Sequence, residues 1–267
     1  MDLPHNRFQR AMASGRPQYG LWLGLPDVSA AEIAAGAGFD WLLIDHEHAP
    51  FELADILAHL QVLAAYDVAP IVRPVDDNPS LLKKLLDIGV QSFLVPMVEN
   101  AAQARAIVSC LHYPPRGNRG LGTSLARAAR WNQVPGYLHK ANDEICLIVQ
   151  VESVAALANL GEILAVEGVH GVFIGPSDLS ADMGHVGDAG HPEVVAAVGA
   201  ALETIAAAGK HAGVLCLDPA LVEHYRARGA GFIGVGVDTV ILAHGAGELA
   251  RAFKSGPTRS DGPDAGY

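Results

Sequence analysis

Residues 41–50 read WLLIDHEHAP, and residues 52–67 then read ELADILAHLQVLAAYD. Trp41 to Ile44 form an apolar run with no polar alternation, as expected of a strand covered on both faces. The longer segment after it carries its apolar residues at helical spacing. Between them stand Asp45, His46, Glu47 and His48, four ionisable side chains in a row. A strand over 41–47, a polar junction and a helix over 52–67 make one βα unit, and the fold depends on how often that unit recurs.

It recurs along the whole chain. Strands are predicted at 19–25, 41–47, 69–75, 92–98, 145–152, 171–176, 211–217 and 231–238, each followed by a helical pattern. The helix over 27–38 has Asp27 as its cap, with Gly36 and Gly38 as stop signals. That over 78–89 has Asn78 as cap, Pro79 at its first position and Gly89 at its end. The other helices cover 100–113, 153–168, 192–209 and 218–229, and the last runs through Phe253. Eight βα units in 267 residues predict a single (β/α)8 barrel over 1–254. A doubly wound sheet is the other α/β solution, but no GxGxxG follows the first strand. The tail over 255–267, SGPTRSDGPDAGY, reads as disordered.

Composition narrows the function. Half the residues are apolar, charged residues make up 18% and the formal net charge is −11. Such a surface argues against nucleic acid and anionic membranes as partners. No apolar run is long enough for a membrane span and the first residues do not form a signal peptide, so a cytoplasmic protein is expected. Cys110, Cys146 and Cys216 each lie in an apolar run, far apart, and read as buried reduced thiols.

In a (β/α)8 barrel the chemistry collects where strands end and βα loops begin. The polar residues at those positions are Asp45 to His48 after the second strand, Arg73 at the third, Gln150 and Glu152 at the fifth, Gly175-Pro176-Ser177-Asp178 at the sixth, and Asp218 and Asp238 at the last two. The first and fourth strands offer little beyond Pro26 and Pro96. Glu152 and Asp178 come from neighbouring strands and could converge on one divalent cation such as Mg²⁺, Mn²⁺ or Co²⁺. Either could instead serve a helix start, with Asp178 or Ser153 as cap. Arg73 could bind a carboxylate or oppose a developing oxyanion, or close a structural ion pair. His48 is a candidate general base, with Asp45 near enough to orient it. Strand alternation argues that His46 and Glu47 cannot both share the surroundings of Asp45 and His48. Residues 114–133, PPRGNRGLGTSLARAARWNQ, are too long for a routine connection and carry Arg116, Arg119, Arg127 and Arg130.

Together the motifs WLLIDHEHAP, IVRPV, LVPMVEN, YPPRGNRGLGTSLARAARW, IVQVES and VFIGPSDLSADMG resemble the class II pyruvate aldolases of the HpcH/HpaI family over residues 18–254. The resemblance implies a metal-dependent carbon–carbon lyase. Such an enzyme makes or cleaves the C3–C4 bond of 4-hydroxy-2-oxo acids, giving pyruvate and an aldehyde through a metal-stabilised enolate. It implies His48 as base, Arg73 as enolate stabiliser, Glu152 and Asp178 as metal ligands, and no organic cofactor. It further implies Gln150, Ser177 and the backbone around Gly175, Pro176 and Asp178 as substrate contacts. Leu215 is expected to help set the aldehyde. Asp45 is implied as a partner of His48, and Asp87 as an aspartate reaching that histidine from an adjacent subunit. The family is typically hexameric, with a C-terminal helix exchanged between neighbours. His46 departs from the pattern, which usually has a small residue there. Two other outcomes stay open: a related barrel lyase acting on a CoA thioester or a phosphoenolpyruvate-like substrate, for which the arginine-rich loop would be the anion cradle, and an oxo-acid-binding protein without catalysis.

Overall fold

The structure is a computed structural model that describes residues 2–254; the tail over 255–267 lies outside them. Eight parallel strands close into a barrel in sequence order: β1 Gln18–Leu23, β2 Trp41–Asp45, β3 Ala69–Arg73, β4 Ser92–Val95, β5 Cys146–Val151, β6 Gly171–Ile174, β7 His211–Leu215 and β8 Ala230–Val237. β1 pairs with β8, which completes the closure. The predicted (β/α)8 barrel is therefore the observed one.

Twelve α-helices occur among the described residues: α1 Arg7–Ala13, α2 Val28–Gly36, α3 Leu53–Leu63, α4 Pro79–Ile88, α5 Ala101–Leu111, α6 Tyr137–Lys140, α7 Val154–Ala158, α8 Leu160–Leu164, α9 Pro176–Asp182, α10 Pro192–Ala207, α11 Pro219–Ala227 and α12 Asp238–Lys254. The caps read from sequence at Asp27, Asn78 and Ser153 are present, and Gly89 ends α4 in the left-handed region at φ 109°. Three helices depart from expectation. The single helix over 153–168 is two, broken at Asn159. α9 begins at Pro176, inside the predicted strand 171–176 and two residues before Asp178, the cap the sequence offered. α1 was not foreseen; its Phe8 packs edge-on against Phe232 at 5.4 Å and closes the strand N-terminal end of the barrel.

The core has two layers, and strand alternation assigns each residue to one. Leu42, Ile44, Val72, Leu147, Val149 and Val151 point outward to the helices. Trp41, Leu43, Ile71, Cys146, Ile148, Phe173 and Phe232 fill the barrel interior. Continuing the inward series by two residues on each strand, from Leu43, Ile71 and Ile148, reaches Asp45, Arg73 and Gln150. Polar side chains thus follow directly on the apolar filling at the C-terminal ends. Every strand except β5 and β8, which end one residue early, was predicted two to three residues too long at this end, because the same residues leave the sheet to form the site. The three cysteines are buried and free, as expected.

Candidate active site

Asp45 and Arg73 are register partners across β2 and β3. Arg73 Nε donates to Asp45 Oδ1 at 2.9 Å and Nη2 to Oδ2 at 2.6 Å, a bidentate pair with both side chains buried. The remaining terminal nitrogen, Nη1, lies 2.9 Å from Glu47 Oε2. The guanidinium also sits 5.7 Å from the centre of the Trp22 ring, which comes from β1. Burial by itself would lower the pKa of Arg73, but the hydrogen bonds and charge of Asp45 and the charge of Glu47 more than offset it. Arg73 is a fixed cation with its plane set by two carboxylates.

His48 is exposed, at 66% of its side chain, and its Nε2 stands 3.7 Å from Glu47 Oε2. Asp45 was expected to orient this imidazole. Its carboxylate instead engages Arg73, and Oδ1 also accepts the backbone N–H groups of Glu47 at 3.1 Å and His48 at 3.4 Å. Asp45 therefore shapes the turn that carries His48 and does not contact its ring. β2 ends at Asp45 and residues 46–48 form a turn, so strand alternation no longer governs them. Glu47 lies on Asp45's face beside Arg73, as alternation allows for one of the two, and the turn brings His48 to it as well. His46 donates its backbone N–H to Arg73 O at 2.9 Å, extending the β2–β3 pairing, and its ring Nδ1 is buried without a partner.

Glu152 lies just past β5 and is 3% exposed. Its Oε1 accepts the backbone N–H of Met97 at 2.8 Å, and Oε2 accepts from Gln150 Nε2. Met97 adopts φ 53°, a left-handed conformation rare for a side-chain-bearing residue, and its amide is committed to Glu152. Burial pushes the Glu152 carboxyl upward; the bonds from Met97 and Gln150 oppose this, and the charges of Asp178 and Glu47 reinforce it. Glu47 is likewise raised, by burial first, against the opposing charges of Arg73 and His48. Gly175 is needed beside Glu152: a Cβ there would come within 2.5 Å of Glu152 Oε2 and 3.0 Å of Gln150 Nε2.

Gly175 caps α9 with Pro176 at its first position, which places Ser177 and Asp178 in the first turn, both exposed. Asp178 is thus within the helix and is not its cap. It makes no side-chain hydrogen bond among the described residues, yet its charge raises both Glu47 and Glu152. Asp178 thus adds to the cost of ionising both Glu47 and Glu152 around one mouth. A buried oxygen on Gln150, Oε1, has no hydrogen-bond partner. Oxygen donors of this kind suit a hard or borderline divalent ion, and a cation would relieve the mutual repulsion. Leu215, the last residue of β7, is half-buried against the interior cluster on the same side.

The sites expected from sequence therefore gather at one end of the barrel, with one exception. Asp87 lies in the last turn of α4, which runs away from the C-terminal end of β3, and it pairs with Arg119 Nη2 at 2.9 Å. Within one chain it stands at the end of the barrel opposite His48. Glu47, Trp22 and the Met97 amide belong to the site without having been singled out as functional. A strand-end glutamate carries a readable signal, whereas a main-chain N–H turned by a left-handed methionine carries none.

Comparison with known proteins identifies the family. The family model described as HpcH/HpaI aldolase/citrate lyase matches residues 18–245. The chain is 58% identical over 254 residues to a hydroxypyruvate/pyruvate aldolase of Deinococcus radiodurans, covering 95% of this chain and 92% of that one. It is 54% identical over 248 residues to a 4-hydroxy-2-oxo-heptane-1,7-dioate aldolase of Salmonella dublin, covering 93% and 94%. A crystal structure of an HpcH/HpaI aldolase/citrate lyase family protein from Burkholderia cenocepacia superposes with a TM-score of 0.88 at 35% identity, covering 93% of this chain and 99% of that one. With a model match over most of its length and relatives above half identity, the chain belongs to the HpcH/HpaI aldolase/citrate lyase family.

Proposed function

We propose that this carbon–carbon lyase makes and cleaves the C3–C4 bond of 4-hydroxy-2-oxo acids, releasing pyruvate or a related 2-oxo acid and an aldehyde. The observation that carries the reading is the pairing of a fixed guanidinium, Arg73, with an exposed imidazole, His48, across Glu47. Glu152 and Asp178 would hold a divalent ion, and such an ion supplies Lewis-acid polarisation of the 2-oxo acid. Arg73 meets the negative charge that develops on the keto oxygen, in a site already organised around a cation. His48 takes the proton of the 4-hydroxyl group. The C3–C4 electron pair moves into the forming enolate, the aldehyde departs, and C3 then takes a proton. Gln150, Ser177 and the backbone of Gly175 and Pro176 orient the oxo acid. The first-turn N–H groups of α9 have no acceptor within their own helix and can receive its carboxylate. Leu215 bounds the aldehyde.

No helix among the described residues is long and apolar enough to cross a membrane, and cytoplasmic action on small molecules belongs to the same reading. So does a homo-oligomer, a hexamer, in which α12 is exchanged. α12 has no buried residue and leaves Ile241, Leu242, Leu249 and Phe253 exposed, an apolar surface that association would cover. The reading with a CoA thioester or phosphoenolpyruvate loses its support, because Arg119, Arg127 and Arg130 line a cavity at the strand N-terminal end.

The test is deuterium exchange at the pyruvate methyl group, followed by NMR, on chelator-treated enzyme and after Mg²⁺, Mn²⁺ or Co²⁺ is restored. Metal-dependent exchange is expected. Absence of exchange with every ion would exclude enolate formation from pyruvate and with it the proposed reaction.

A further inference from the structure

The arginine-rich loop takes no part in the site above, and its side chains point to a second one. A cavity of about 300 Å³ lies at the strand N-terminal end, against the first residues of β3 and β4, Ala69 and Ser92. Arg7, Arg119, Arg127 and Arg130 line it, and no aspartate or glutamate does. In a chain with a net charge of −11, this concentration of cations needs a physical reason.

Two of the four have carboxylate partners nearby: Arg7 lies 3.7 Å from Asp67, and Arg119 Nη2 lies 2.9 Å from Asp87. Arg127 and Arg130 have none within ion-pair distance among the described residues. Arg127 Nη1 instead donates to Ile88 O at 2.8 Å and Nη2 to Leu60 O at 3.4 Å, while Arg130 Nη1 donates to Arg127 O at 3.1 Å. Main-chain carbonyls fix these guanidiniums in place but leave their charge uncompensated. The approach is close enough that a Cβ on Gly89 would meet Arg127 Nη1 at 2.6 Å. Burial, and then the charge of Arg130, both disfavour the protonated form of Arg127. Arg119 is 3% exposed, and its Nε has no partner. The half-buried Arg127 and Arg130 without a counter-charge are costly, and an anion between the guanidiniums would remove that cost.

We propose that this cavity binds a phosphate-type oxyanion, either inorganic phosphate or the phosphate group of a small organic phosphoester. A tetrahedral group of charge near −2 offers several acceptors to guanidiniums approaching from different walls, which a single carboxylate does not. Leu60, Leu63 and Leu86 on the other walls leave room for a small organic body. The site is separate from Glu152 and Asp178, so it stands or falls independently of the lyase reading.

The experiment is titration calorimetry on the full chain, with inorganic phosphate, glycerol 3-phosphate and acetate compared at constant ionic strength in the presence of chelator. Saturable binding of the phosphates at one per chain is expected, with acetate far weaker. Preference between the two phosphates identifies the source. Glu152→Gln should leave binding unchanged, which separates this cavity from the barrel mouth. Arg127→Gln would also remove two main-chain bonds. Arg130→Gln, and Ala128→Glu, which puts a carboxylate on the cavity wall, leave both bonds in place. Each should weaken phosphate binding at least about tenfold, the loss of one charge-assisted hydrogen bond, while pyruvate exchange persists in Arg130→Gln. No saturable phosphate binding, equal binding of acetate, loss of binding in Glu152→Gln, or full binding in both cavity variants would each overturn the proposal.

Discussion

Asp45 and Arg73 face each other across neighbouring strands and close two parallel hydrogen bonds, at 2.9 and 2.6 Å, in the barrel mouth. The pair shares one register position, so the sheet itself sets the plane of the guanidinium. Removing Asp45 strands a buried cation. Asp45→Ala is expected to cost about 3–5 kcal/mol of folding stability, the usual penalty for breaking a buried pair from one side. Chemical denaturation measures it, and a change below about 1 kcal/mol would mean that the pair is weak. Asp45→Asn keeps the shape but loses the charge, and should lower turnover by about a hundredfold through misplacement of Arg73.

Glu47 binds Arg73 on one side and faces His48 on the other. Glu47→Gln keeps the volume and removes the charge. Turnover in aldol cleavage is expected to fall by about ten- to a hundredfold, the range for loss of a group supporting a site's ligands, with the fold intact by circular dichroism. Turnover equal to wild type would confine Glu47 to a structural role.

The contrast between these two residues shows what was readable. The barrel follows from eight repeats of an apolar run and a helical pattern, and strand alternation carries Asp45, Arg73 and Gln150 to the inward face above Leu43, Ile71 and Ile148. Alternation also puts Glu47 on the face of Asp45, beside Arg73; what it could not show is the turn after Asp45 that brings His48 to Glu47 as well. Met97 was not readable at all: its part is a backbone N–H, and the left-handed conformation that aims it is set by tertiary packing. α1 was missed because seven residues with two buried side chains give too short a period to detect.

Gly175 tests the metal ligand without touching it. Gly175→Ala would bring a methyl group within 2.5 Å of Glu152 Oε2. The carboxylate must shift, while the backbone conformation at φ −92° suits alanine well. Affinity for Mn²⁺ is expected to fall about ten- to a hundredfold with little loss of stability. Titration followed by electron paramagnetic resonance reads the affinity directly. Unchanged Mn²⁺ binding would place the ion away from Glu152.

Glu152 and Glu47 both have raised pKa values, burial being the first cause in each. A carboxyl raised in the folded chain holds its proton more tightly there than in the unfolded chain. Its favourable contribution is complete below the ordinary carboxylate range and is lost as the pH rises through the raised value. The metal-free protein should therefore lose stability as the pH climbs through and just above that range. Glu152→Gln should flatten the slope. A divalent ion should restore stability at the upper end, since it binds the deprotonated ligands. Denaturant midpoints across a pH series, with and without chelator, measure all three. A metal-free protein that gained stability over the same interval would contradict the burial assigned to these groups.

Asp87 poses a different problem, since it lies near the end of α4, beside Arg119, while His48 stands at the far end of the same barrel. A ten-residue helix spans about 15 Å, and α4 carries the chain away from the mouth. Within one chain Asp87 cannot reach His48, so any role at that histidine requires a neighbouring subunit. Asp87→Asn and His48→Ala are each expected to be nearly inactive alone. If Asp87 serves a neighbour's histidine, subunits of the two variants that are mixed, dissociated and reassembled will form some interfaces where both residues are intact. Activity should then reappear in the mixture, rising with the fraction of hybrid assemblies seen by native mass spectrometry. Hybrids that form and stay inactive would assign Asp87 to its own subunit, where its one visible partner is Arg119.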